Sequence, residues 1–108
     1  RHRLGTNLVL IMEDDSILFE AYHLVNKDRK EDYGDVLKDF TRTSTIWSSL
    51  LEDRLKSNLT PVDVAVMMIA LKLSRTAFKK DKRDNWVDIA GYAHLADLCS
   101  KHNNNNNE

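Results

Sequence analysis

Thr60-Pro61-Val62-Asp63, followed by Val64-Ala65-Val66-Met67-Met68-Ile69-Ala70-Leu71, is the stretch from which the fold can be read. Thr supplies an N-cap oxygen, Pro suits the first helical position, and an acid at the third position suits the positive end of the helix. A helix is therefore predicted from Pro61 to Ala77. From Val62 onward it is apolar almost all round, interrupted by Asp63, Lys72, Ser74, Arg75 and Thr76. Such a pattern marks a central helix or a subunit interface. Its uninterrupted apolar run, Val64 to Leu71, is far too short to span a bilayer.

Three further helices follow from apolar spacing. Residues 16–27 place Ile17, Leu18, Ala21, Leu24 and Val25 on one face, with Asp14 and Asp15 supplying negative charge at the start. The polar segment 28–35 contains Gly34 and is expected to turn. Residues 36–56 carry Leu37, Phe40, Ser44, Trp47, Leu50 and Leu51 on a single stripe. The fourth helix is expected over 84–100, with Asp84 as N-cap. It presents one face of Trp86, Ile89, Ala90, Ala93 and Ala96 and an adjacent one of Asp88, Gly91, Tyr92 and Leu95. The fold class is thus all-α, a four-helix bundle-like domain. A bundle this small covers little surface, so the third helix predicts a homodimer or higher homo-oligomer.

The domain is expected over 13–101. Within 1–12, Leu8-Val9-Leu10-Ile11-Met12 reads as an isolated strand, which is not stable alone. It is expected to be a poorly ordered upstream extension, with Met12-Glu13-Asp14-Asp15 resembling a natural start, or else an interface strand. The Asn-rich segment 102–108 is expected to be a disordered tail. A net charge of −1 leaves any attraction to nucleic acid or an anionic membrane to a local patch, and gives no direct evidence for DNA or RNA. The single cysteine, Cys99, cannot form an internal disulfide, fits a cytoplasmic location, and is expected to fill core.

There is no glycine-rich phosphate loop, no zinc-ligand spacing and no Ser-His-Asp pattern. His23 and His94 are expected at the surface or core edge. Chemistry concentrates instead around Asp84-Asn85-Trp86-Val87-Asp88-Ile89-Ala90-Gly91-Tyr92, where two carboxylates stand one helical turn apart beside a core-facing stripe. Asp88 needs a compensating partner. Lys72, Arg75 and Lys79 form a short positive stripe just upstream, and Lys80 to Arg83 a charged, solvated loop. Two readings stay open: a structural ion network, with the cations also capping the third helix, or a phosphate site in which Arg grips two oxygens and Lys adds a point charge. Glu20, Asp84 and Asp88 would complete an oxygen-ligand set for Mg²⁺. Trp47 is expected in the core, while Trp86 and Tyr33 are candidates for stacking on a base.

Asp28-Arg29, Asp32-Tyr33-Gly34, Phe40, Trp47, Met67-Met68, Leu71-Lys72-Leu73-Ser74-Arg75 and the Asp84 to Ala93 run together resemble a family of small phage and prophage proteins of largely unknown function. The resemblance covers about 17–98. Members look related to domains associated with nucleotide modification in phages, and more distantly to the all-α nucleoside triphosphate pyrophosphohydrolases of the MazG and dimeric dUTPase type. Those enzymes hold Mg²⁺ with a Glu-x-x-Glu and a later Glu-x-x-Asp motif; here Glu20 is followed by His23, and Asp84 and Asp88 stand in the later position. The resemblance implies a pocket for a phosphorylated nucleoside lined by Arg29, Tyr33, Lys72, Arg75, Asp84, Trp86 and Asp88. It also implies magnesium-dependent phosphoryl or pyrophosphoryl transfer if the protein is an enzyme. The alternative is a non-catalytic module that sequesters a nucleotide-derived signal or binds a host protein.

Overall fold

Three helices begin where a side-chain oxygen can take the first unpaired backbone N–H groups. Leu18 N–H donates to Ser16 Oγ at 3.0 Å, and Leu37 N–H to Asp35 Oδ1 at 2.7 Å. Asp63 N–H donates to Thr60 Oγ1 at 3.3 Å while Thr60 N–H donates back to Asp63 Oδ2 at 2.9 Å, a reciprocal capping box. These caps launch α1 (Ile17–His23), α2 (Val36–Leu50) and α3 (Pro61–Thr76); α4 spans Arg83–Asn106. The computed structural model describes residues 16–28 and 34–106, and among these there is no strand. The chain is all-α, as its periodicity predicts. The apolar run 8–12 and the site candidates Arg29 and Tyr33 lie outside the described residues.

Several boundaries differ from expectation. After His23 the first helix widens into a π-helical turn, Leu24–Asp28, and Gly34, at φ 74°, takes the left-handed conformation that lets the chain enter Asp35. α2 stops at Leu50 rather than near residue 56. The chain instead folds back over its end, and Ser48 Oγ accepts the N–H of Leu59 at 2.8 Å. Most helix stability comes from packing an apolar face, and past Ser48 that face has no cover: Leu50 is 77% exposed. α4 starts at Arg83, so Asp84 sits in its first turn and is not the N-cap. At the other end the α4 backbone continues to Asn106, beyond the predicted stop near Ser100 and into the Asn-rich segment, since extending an existing helix costs far less than nucleating one.

α3 and α4 form the central hairpin, and their contact is the largest between any two elements. The Lys72–Asp88 pair joins the end of one to the start of the other, which makes them antiparallel. α1 packs on α4 and runs in the same direction, with Glu20 beside Arg83 and Val25 beside Gly91. α2 packs mainly on α3 and reaches α4 by stacking Phe40 on Tyr92, ring centroids 6.5 Å apart. The core is Val25, Phe40, Val64, Ala65, Leu95 and Cys99, flanked by Leu37, Trp47, Met68 and Tyr92. Cys99 and Trp47 thus pack as expected.

The buried stripe of α4 is Val87, Gly91, Leu95 and Cys99; Asn85, two residues before Val87, is buried as well. Gly91 and Leu95 belong to the second predicted face; of the first, Trp86 and Ala93 are exposed while Ile89, Ala90 and Ala96 are half-buried, Ala96 against the core. The four-residue spacing of Val87 to Cys99 follows the groove between α1 and α3. At Gly91 an added Cβ would lie 3.6 Å from Val25 Cγ2, an ordinary contact distance. Gly91→Ala is therefore expected to stabilise the domain, by about 0.5–1 kcal/mol through helix propensity. A urea midpoint that falls would show that α1 sits closer than described.

Candidate functional site

The hairpin geometry brings the charged motif together in part. Lys72 Nζ lies 2.8 Å from Asp88 Oδ2, with the Lys72 side chain 15% and the Asp88 side chain 33% exposed. Asp88 therefore has the compensating cation that its place beside the core requires. An ammonium has three donors, and this contact uses one of them. Arg75 follows Lys72 by three residues on α3, is exposed, and makes no ion pair with a described residue. Asn85, three residues before Asp88 and so on the same side of α4, is 5% exposed, and its amide side chain has no hydrogen-bond partner among the described residues. Lys72, Arg75, Asn85 and Asp88 thus lie along the α3–α4 seam near the turn that joins the two helices.

Other predicted members fall elsewhere. Asp84 is exposed one turn before Asp88. Trp86 follows Asp84 by two residues and precedes Asp88 by two, which on a helix turns it roughly 200° from either. Its indole Nε1–H donates to the Lys80 carbonyl at 2.7 Å, so it braces the α3–α4 turn instead of facing Lys72. Glu20 is directed to Arg83, Oε1 to Nη2 3.8 Å, with both side chains nearly half exposed. Among the described residues no three His, Cys, Asp or Glu side chains gather as a metal cluster. Glu20, Asp84 and Asp88 are thus not gathered into one set: Asp88 pairs with Lys72 and Glu20 reaches Arg83.

Two clefts lie away from this seam. One, of about 350 Å³, is lined by Tyr22, Val25, His94, Leu95 and Leu98 among others, between the end of α1 and α4. The other, of about 390 Å³, lies between α2 and the loop before α3 and is rich in hydroxyls, including Ser44, Ser48, Ser49 and Thr60. Exposed His94 lines the first, and exposed His23 stacks edge-on with Phe19 at 4.4 Å, so both histidines are on the surface. Asn85 lies inside the charged motif, but its amide carries no charge to demand a partner, so nothing in the sequence marks it. Phe78 is 96% exposed, and its one signal in the sequence is an aromatic directly before Lys79 and Lys80.

The fold and seam define a small all-α protein with an ion-paired cation between consecutive helices. No described helix is long and apolar enough to cross a membrane. The chain belongs to the DUF6378 family, a domain of unknown function whose model matches residues 16–100. It is similar to the Gene 55 protein of Mycobacterium phage L5, 42% identical over 78 residues, covering 72% of this chain and 48% of that protein. It is also similar to the Gene 55 protein of Mycobacterium phage D29, 34% identical over 79 residues, covering 73% and 50%. The chain thus spans about half the length of these curated relatives. No solved structure matches it.

Proposed function

We propose that the domain binds a phosphorylated nucleoside at the α3–α4 seam, with Lys72 and Arg75 on the phosphate and Asp88 orienting Lys72. The observation that supports this most is the 2.8 Å Lys72–Asp88 contact on a mostly buried lysine that keeps two donors spare. Arg75, exposed one turn on, is placed to add a bidentate grip. The buried amide of Asn85 adds a polar group on the same side. No catalytic step is assigned, and no step runs through magnesium. Kinship with the all-α pyrophosphohydrolases, and a role in phage nucleotide metabolism in the host cytoplasm, belong to this proposal and rest on the resemblance of motifs.

The test is a thermal-shift screen of the full chain with nucleoside mono-, di- and triphosphates and cyclic nucleotides, each with and without Mg²⁺. A ligand that raises the melting temperature is expected. Arg75→Ala should weaken that ligand by roughly tenfold or more, the scale of one charge-assisted hydrogen bond, while leaving the unliganded melting temperature unchanged. If no compound shifts the protein, the nucleotide proposal fails and the non-catalytic partner-binding module moves ahead. A shift that persists undiminished in Arg75→Ala places the ligand elsewhere.

Self-association through α3 is the second part of the proposal. Val66, Met67, Leu71 and Leu73 are each 40–53% exposed on that helix, a concentration of apolar surface suited to an interface. Sedimentation should detect a dimer or larger species at tens of micromolar; a strict monomer would remove this part and leave the seam proposal standing.

A further inference from the structure

The turn between α3 and α4 combines two features that neither the core nor the seam explains. Phe78, at its tip, is 96% exposed, the most exposed large apolar side chain among the described residues. Around it, Arg75, Lys79, Lys80, Lys82 and Arg83 put five cations within nine residues, against Asp81 and Asp84. Lys79, Lys80 and Lys82 are fully on the surface and form no ion pair with a described residue. In a chain of net charge −1 this is a strongly local positive patch.

The turn is also held in shape. Phe78 N–H and Lys79 N–H both donate to the Arg75 carbonyl, at 3.3 and 3.4 Å, extending the end of α3. Asn85 N–H donates to the Lys82 carbonyl at 3.1 Å, and the Trp86 indole fixes the Lys80 carbonyl from the α4 side. An exposed aromatic on a braced backbone loses little entropy when a flat partner stacks on it.

We propose that this turn contacts single-stranded nucleic acid, with Phe78 stacking on a base and Lys79, Lys80 and Lys82 taking the flanking phosphates. One aromatic interleaved with cations is the arrangement such strands use, because every base offers a π-face and every linkage a charge. A membrane-inserting tip needs several apolar side chains together, whereas here Phe78 is followed by Lys79, Lys80, Asp81 and Lys82. The proposal is independent of the Lys72–Asp88 seam.

The test is fluorescence anisotropy of the full chain with a labelled oligothymidylate of about sixteen nucleotides, beside its duplex and beside phosphatidylglycerol vesicles in a sedimentation assay. Binding is expected at low salt, weakening roughly twentyfold from about 50 to about 200 mM salt if three phosphates are contacted. Phe78→Ala should lose roughly tenfold, the scale of one stacked base, and Phe78→Trp should retain binding. Lys79→Glu with Lys80→Glu and Lys82→Glu should abolish it. These side chains are exposed, so unchanged melting curves will separate lost contact from lost fold. No anisotropy change at tens of micromolar protein overturns the proposal, as does equal binding by Phe78→Ala or equal binding to duplex. Phe78-dependent capture by the vesicles without oligonucleotide binding also overturns it and assigns the turn to a membrane surface.

Discussion

Phe40→Ala is expected to lower the unfolding free energy by about 3–5 kcal/mol, the usual cost of emptying a buried aromatic site. Phe40 is 3% exposed, belongs to the core cluster with Val64 and Ala65, and stacks on Tyr92 of α4. It is thus the main apolar link from α2 across α3 to α4. Domains of this size are stable by only about 5–15 kcal/mol, so the variant should be partly unfolded near physiological temperature. Phe40→Leu keeps much of the volume and should cost less than about 1.5 kcal/mol. Leu50→Ala, at a position 77% exposed, should stay within about 0.5 kcal/mol. Urea titrations of the three variants check the set. A loss below about 1 kcal/mol for Phe40→Ala would mean that α2 does not dock as described.

Asp88→Asn is expected to lower stability by about 1–2 kcal/mol. A hydrogen bond to a charged group contributes about 1.5–3 kcal/mol; the value is reduced here because the Asp88 side chain is one-third exposed and the Lys72 stem can lift its ammonium toward water. Adding Lys72→Met should recover part of the loss, because the double variant leaves no unpaired charge beside the core. With Lys72→Met measured alone as well, the double-mutant cycle gives the coupling energy of the pair. If Asp88→Asn melts like the parent and the cycle shows no coupling, the ion pair holds nothing together, and Asp88 is present for a ligand alone. If the single variant is destabilised and ligand shifts survive in it, the pair is structural and phosphate recognition rests on Arg75.

Much of the fold was legible because it depends on local chemistry. Thr60-Pro61-Val62-Asp63 specifies a helix start through groups that lie within four residues, and the capping box forms there. Asp35 and Ser16 act at equally short range, and the starts of α1 and α2 agree with their spacing. The pairing of Lys72 with Asp88 was also foreseeable, since a carboxylate beside a core stripe requires a cation and the upstream helix offers few.

What was not legible depends on which surfaces meet. Small residues on both sides of α4 gave two candidate packing faces, and the choice of Val87, Gly91, Leu95 and Cys99 was made by α1 and α3 closing over them. The same closure turned Asn85 inward and swung Trp86 out to the Lys80 carbonyl, separating an aromatic from the carboxylates that flank it in sequence. Glu20 could have faced Asp84 and Asp88; the parallel course of α1 along α4 set it beside Arg83. Sequence by itself determined that this protein is a set of capped helices with a charged seam, because caps and periodicity act within a turn or two. Only the tertiary structure decided which charges pair and which aromatic, Phe78, is left in water, because those outcomes follow from how whole helices are placed.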